Sequence, residues 1–369
     1  MILLSFLITC GVLFTGYRFF SAKLNTLELI LQFAVPTIVS ILFYFLTVWG
    51  LTSDSEYWGG WITKIVHTED WNEYVHQTCT RTVGSGKNAR TETYDCSYVR
   101  YHPEQWIAYD SNGLNYSVSE GMYKNWAGIW GWSKTGHISG YTNSADVFTT
   151  FYDNVPAHLR PSVTIHRYTN KVAASNSVFN FRKLSEQEIE DNALFDYPKT
   201  EEGYCPSVLG YKNCPCFDRI NSKLGKSKQI RVWILVFRGN MSQFELQKQY
   251  WRNGNKNELI LCFGLGNDDT VRWSNLMTWC EQDEFNAKVK RAMSDQIGTK
   301  FDTCELAGRI EPLIKEGWVR KEFADFDYLK VSIPFYLTMI ALLITLLLNG
   351  GLLYINLNYD LGNNHGSWR

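Results

Sequence analysis

Three stretches of this chain carry no charged side chain: residues 1–17, 29–53 and 331–359. A helix needs about 20 apolar residues to cross the hydrocarbon core of a bilayer, so the second and third runs are long enough and the first is at the short end. Everything else has to be arranged around three spans. A cleaved signal peptide is the other reading of the first run, but no basic residue precedes it and no small-x-small cleavage pattern stands before Arg18. Pro36 inside the second run is compatible with a membrane helix, where neighbouring groups take up the freed carbonyl. Trp49, Tyr57, Trp58 and Trp61 cluster at its end like an interfacial aromatic belt.

Three spans put the N-terminus and the large middle region on one side, and residues 18–28 with the C-terminal tail on the other. Arg18 and Lys23 favour a cytoplasmic first connection, whereas Lys315, Arg320, Lys321 and Lys330 crowd the opposite side. The charge rule is counted on short loops, so the first pair is given more weight and the middle region is expected outside the cytoplasm. A net charge of −1 lacks the basic field that a nucleic-acid surface requires, and nucleic acid is excluded as a partner.

The cysteines bear on the compartment. Residues 75–83 and 91–100 alternate in polarity around Gly84-Ser-Gly-Lys-Asn-Ala89, a β-hairpin signature. A symmetric turn pairing i with 175 minus i sets Cys79 opposite Cys96, Thr78 opposite Ser97, Thr80 opposite Asp95 and His76 opposite Val99. Opposed antiparallel residues lie within disulfide reach, and a Cys79–Cys96 bridge implies an oxidising compartment. Further on, Cys205, Cys214 and Cys216 fall in a connecting stretch. Zinc there lacks a fourth ligand and a histidine, and Cys-Pro-Cys is not the Cys-x-x-Cys of redox enzymes, so a second bridge from Cys205 to Cys214 or Cys216 is expected.

Seven of the 14 tryptophans lie between Trp58 and Trp132, three of them in Lys124-Asn-Trp-Ala-Gly-Ile-Trp-Gly-Trp132. They suit either core packing or a ligand platform, packing being favoured. With a turn at Asn112-Gly113 and β-type residues over 157–180, residues 53–182 read as mainly β. Ser185 with Glu188 is a capping box.

Residues 229–279 carry the most consistent local signals. Residues 230–237 form a buried strand, Ser242 with Glu245 opens a helix that stops at Gly254, residues 258–264 form a second strand, and residues 270–273 a short third one after a turn. Helices are expected from Glu281 and from Asp302, the latter interrupted by Pro312 and closed at Gly317, and a strand over residues 323–331.

No Gly-x-Ser-x-Gly elbow, His-Glu-x-x-His pair or Walker A loop occurs. His67, His76 and His102, with Asp70 and Asp95, are conceivable metal ligands near the first hairpin. Asn267, Asp268 and Asp269, in the turn after a buried strand, could offer oxygens to a divalent cation such as Ca²⁺, although a polar turn is the simpler reading.

The central unit resembles the TPM domain in its strand, its helix ending Trp251-Arg-Asn-Gly254, and Asn257 followed by an apolar strand and a Gly-rich turn. The resemblance covers residues 229–295 and implies an extracytoplasmic domain with a span after it. Some members of that family are called phosphatases and others serve assembly or repair of membrane complexes. Over its whole length the chain is similar to membrane proteins of tailed bacteriophages, through Ser53-Asp-Ser-Glu-Tyr-Trp58, Glu69-Asp-Trp-Asn-Glu-Tyr-Val-His76 and Phe323-Ala-Asp-Phe-Asp-Tyr328. That resemblance supplies a setting and no activity.

The expectation is therefore an α+β membrane protein. Residues 1–52 hold two transmembrane helices, 53–182 a β-rich region, 183–228 a connecting stretch with short helices, 229–330 a TPM-like α/β domain, and 331–369 a third span with a short tail. Its setting would be the inner membrane of a bacterial host, and its partners the lipid bilayer and an envelope protein bound in assembly, envelope modification or phage exclusion. Catalysis is not expected; a metal-dependent phosphatase-like hydrolase using Asp268 and Asp269 is the alternative.

Overall fold

The computed structural model describes residues 2–20, 24–84, 86, 89–172, 174–175, 181–198, 206–212 and 214–358. It is a mixed α and β structure that divides into two compact units. One comprises Met1–Ser55, Arg167–Asn180 and Glu322–Arg369, the other Glu56–His166 and Phe181–Lys321.

The first unit is built on three helices, α1 (Ile2–Phe20), α2 (Thr26–Thr52) and α9 (Phe335–Asn358), each long and apolar enough to cross a membrane. At 1.5 Å per residue the 19 residues of α1 extend about 28 Å, close to the thickness of a bilayer core. A capping box starts α2. Asn25 Oδ1 accepts the Glu28 amide at 2.9 Å, and Glu28 Oε2 accepts the Asn25 amide at 3.0 Å. Polar side chains join the helices from within: Gln32 Nε2 donates to the Asn349 carbonyl at 2.9 Å, Asn349 Nδ2 donates to Thr9 Oγ1 at 3.1 Å, and the Ser40 and Thr345 hydroxyls meet at 3.1 Å. Leu3, Leu7, Phe14, Phe45, Leu46 and Leu347 face outward. In the same unit Tyr168 and Asn170 donate to Asp54, and Lys171 pairs with Asp327. The strand expected over residues 323–331 is instead a 3-10 turn (Phe323–Phe326) followed by irregular chain, and among the described residues no strand pairs with it.

The second unit holds a β-rich part and an α/β part. Strand β1 (Ser53–Thr68) lies centrally in an antiparallel sheet, between β6 (Gln105–Asp110) and β9 (Ala145–Phe151). Strand β7 (Asn115–Ser117) extends it on one side, β8 (Ser133–Ile138) on the other, and β10 (Pro161–Thr169) pairs with β1. The β6–β7 hairpin turns at Gly113, whose φ of 93° few other residues tolerate. Ile62 and Ile65 of β1 are fully buried under helix α3 (Glu120–Trp130), which residues 53–182 had not been expected to contain. Ser119 caps α3, and its core face is Tyr123 and Ala127, one turn apart.

Two smaller ladders complete this part: β2 (Trp71–Val75) with β5 (Tyr98–His102), and β3 (Thr78–Val83) with β4 (Arg90–Asp95). The hairpin forms, but its register is two residues from the expected one. Val83 pairs with Arg90 directly across the turn, so Thr78 faces Asp95, Cys79 faces Tyr94, Thr80 faces Thr93, and Val99 faces Tyr74 rather than His76. Cys79 and Cys96 are still bonded, as diagonal neighbours with Cα atoms 5.8 Å apart.

The α/β part is a four-stranded sheet in the order β11 (Val208–Leu209), β12 (Arg231–Phe237), β13 (Glu258–Leu265), β14 (Val271–Thr278). The first three run parallel and β14 antiparallel, extending well beyond the short strand expected there. Val232, Ile234 and Val236 face α5 (Pro215–Lys228), α7 (Asp283–Ser294) and α8 (Thr303–Gly317). Trp233, Leu235 and Phe237 pack on the other side against α6 (Ser242–Tyr250) and residues near α4 (Glu186–Asp191), whose Ser185–Glu188 capping box is present. Burial on both faces explains why β12 reads as an unbroken apolar run.

Three expectations are corrected here. Residues 215–228, read as part of a connecting stretch with short helices, form a 14-residue core helix contributing Phe217, Ile220 and Leu224. Ser242 does not cap α6: Met241 is the N-cap, and Asn240 Oδ1 accepts the Ser242 amide. Pro312 lies within a continuous α8. Helix α5 crosses β1 closely. A Cβ at Gly59 would lie 2.2 Å from the Asn221 carbonyl oxygen, and one at Gly225 would lie 2.3 Å from that of Gly59, so only glycine fits the crossing.

Candidate functional site

An open cavity of about 390 Å³ in the β-rich part is lined by His67, Tyr123, Lys124, Ala127, Trp132 and Phe148. Strand alternation on β1 turns His67 toward α3, and the next strand supplies Phe148 directly opposite in register. The His67 ring lies parallel to those of Trp106 and Phe148, with centroids at 5.4 and 5.6 Å, and its Nε2 meets Glu104 Oε1 at 2.6 Å. Trp132, 63% exposed, stands edge-on to Phe148 at the rim. Lys124 pairs with Glu120 one turn earlier on α3. Burial pushes the Tyr123 phenol up from its ordinary value. The site therefore offers apolar ring faces, a carboxylate-held imidazole and an ammonium group at the edge, the mixture that pocket-type binding sites use.

The histidines and acids considered as metal ligands do not converge. His67 pairs with Glu104, His102 with Glu73 while stacked on Trp71, Asp95 accepts from Ser97, and His76 packs edge-on to Tyr74. Asn267, Asp268 and Asp269 lie in the β13–β14 turn, and the two carboxylates point to different partners. Asp268 accepts from the Thr270 hydroxyl at 2.7 Å and from its amide at 3.2 Å, which holds its pKa below the usual carboxylate range. Asp269 forms an ion pair with Arg238 at 2.8 Å and accepts from the Tyr211 hydroxyl at 3.1 Å, and the Arg238 contact is the main cause of its lowered pKa. Asn267 is exposed.

Among the described residues, one group of three such side chains brings its ligand atoms within 4.8 Å of one another: Cys214, Cys216 and Cys304. Cys216 is bonded to Cys304, so the second bridge is not the expected one. Cys205 lies outside the described residues, and Cys214 keeps a free thiol. Spacing along the chain could not reveal this pairing, because Cys304 is 88 residues away on another helix.

The residues that carried the TPM resemblance have structural roles. Trp251 Nε1 donates to the Phe195 carbonyl at 2.7 Å, Gly254 takes φ 77°, and Asn257 Nδ2 donates to the Tyr57 carbonyl at 2.9 Å. Beside them the fully buried Glu258 accepts from Trp233 Nε1 at 2.8 Å, from the Asn255 amide at 2.7 Å and from the Tyr197 hydroxyl. Comparison with family models, with curated proteins and with solved structures finds no match to this chain.

The sequence reading missed Glu104, Lys124 and Phe148 as members of one site. A signal existed in Ser119 followed by Tyr123, Ala127 and Trp130 at helical spacing, which would have placed α3.

Proposed function

We propose that this is an integral membrane protein whose larger unit stands outside the cytoplasm and binds an envelope component. Insertion of α1, α2 and α9 is supported by their length and by their outward apolar and inward polar side chains. The extracytoplasmic placement is supported by the Cys79–Cys96 and Cys216–Cys304 bridges, since disulfides persist in oxidising compartments. The observation that carries the binding reading is the open aromatic cavity, with Trp132 exposed at its rim. A bacterial inner membrane and a bacteriophage origin belong to this reading through resemblance alone. So does the TPM-like character of residues 229–295, to which the parallel β12–β13 pair joined through α6 adds support.

The test is affinity capture from bacterial envelope extracts with the full-length protein in detergent, comparing wild type, Trp132→Ala and Trp49→Ala. A partner retained by wild type and by Trp49→Ala, and lost by Trp132→Ala, supports the proposal. A capture profile unchanged by Trp132→Ala sinks it. The hydrolase alternative gains no supporting observation from Asp268 and Asp269, whose carboxylates face separate partners.

A further inference from the structure

The bridge between Cys216 and Cys304 has a third sulfur against it. The Cys214 Sγ lies 3.2 Å from the Cys304 Sγ. Cys214 is buried, Cys216 half-buried and Cys304 exposed. Two helix beginnings hold them: Cys214 is the N-cap of the 14-residue α5 with Cys216 inside its first turn, while Cys304 is in the first turn of α8, its amide donating to Asp302. The Cys216 amide lies 3.4 Å from the Cys214 Sγ, placed to donate to it. Packing between α5 and α8 through Phe217, Leu306 and Ile310 keeps the sulfurs together. Other free thiols are differently placed. Cys262 is wholly enclosed in β13, and burial pushes its pKa well above the ordinary thiol value, which makes it unreactive.

We propose that Cys214, Cys216 and Cys304 form a thiol–disulfide exchange site, in which Cys304 is the shared sulfur and the bridge moves between Cys216–Cys304 and Cys214–Cys304. The Cys214 thiolate attacks the Cys304 Sγ. A Cys214–Cys304 bond forms, the Cys216–Cys304 bond breaks, and Cys216 leaves as a thiolate that takes a proton from water. The step needs no external oxidant or reductant, because one disulfide and one thiol are present before and after it. Its consequence is that a reactive thiol passes from a buried position to a half-exposed one at the protein surface, where a thiol- or disulfide-bearing molecule can meet it. The inference rests on the sulfurs alone and is independent of the aromatic cavity.

The test uses the full-length protein in detergent, without reductant. N-ethylmaleimide is added at neutral pH, and the labelled and bridged cysteines are located by tandem mass spectrometry. Exchange predicts label on Cys216 together with a Cys214–Cys304 bridge, increasing with time. Cys216→Ser is expected to form Cys214–Cys304 directly. Label confined to Cys214, or no label on either residue while Cys216–Cys304 persists, overturns the proposal. So does recovery of three free thiols with bound zinc, since the site would then be a metal centre. The wild-type measurement decides the matter even if the variant fails to fold.

Discussion

Among the three long helices the side chains turned inward are mostly polar, Thr9, Gln32, Ser40, Thr345 and Asn349 among them, whereas β12 and β13 of the larger unit bury a nearly continuous series of Ile, Leu, Val, Phe and Trp. The outward faces differ in the opposite sense. Leu3, Phe45 and Leu347 are exposed on the helices, while salt bridges such as Arg309 with Asp295 and Glu305 occupy the surface of the larger unit. What is buried depends on what lies outside. In water, apolar burial drives folding; in the bilayer proposed for the three helices the tails would already match leucine, and association would depend on close packing and on hydrogen bonds between helices.

The comparison can be broken most forcefully in the larger core. Phe263, fully buried and 4.7 Å from the Phe301 ring, should cost about 3–5 kcal/mol on Phe263→Ala, read by denaturant unfolding of the detergent-solubilised protein. Leu347→Ala, by contrast, removes a side chain that is 67% exposed and should leave helix association nearly unchanged. Equal losses from the two would end the distinction.

A smaller effect belongs to the polar seam. Asn349→Leu removes the side-chain bonds to Thr9 and Gln32 while the Gln32 bond to the backbone carbonyl of residue 349 stays, and about 1–2 kcal/mol of helix association should go with them, measured by detergent-titrated unfolding. A variant as stable as wild type would mean that those bonds do not hold the helices.

Glu258 sharpens the contrast from the other side, as a carboxylate buried in the apolar sheet. Burial, outweighing its hydrogen bonds, raises its pKa above the ordinary value. The folded form thus binds the proton more tightly than the unfolded form. Its contribution is fully present below the unfolded pKa and is lost as pH rises through the higher folded value. Relative to Glu258→Gln, wild type should lose stability across that window, and parallel stability–pH curves would refute the assignment. Least is expected at the surface: Arg309→Ala should change unfolding by no more than about 0.5 kcal/mol, since both of its ion pairs are exposed.

Much of this was legible along the chain, because the signals were local. The three helices followed from uncharged length, β12 and β13 from apolar runs between breakers, and α7 and α8 from acidic starts and helical spacing. Helix α3 was hidden by its aromatic composition, which reads equally well as strand, and its place was decided by packing on Ile62 and Ile65. Likewise α5, with only moderate apolar content, became core by packing Phe217, Ile220 and Leu224 on β12 and α8. The candidate cavity needed three elements, β1, α3 and β9, brought together by strand pairing.

The sequence by itself determined the three membrane-length helices and the βαβ unit, since a helix closes its hydrogen bonds within its own run, and the two apolar strands that must pair lie one short helix apart. It also placed Cys79 near Cys96, because 17 residues and one turn link them. Only the tertiary structure decided the two-residue register of that hairpin, the partnership of Cys216 with Cys304 instead of Cys205, and the meeting of Gln32 with Asn349. Each joins residues whose attraction is short-ranged while their separation in the chain reaches 88 or 317 residues for the distant pairs, so the choice of partner depends on which elements pack together.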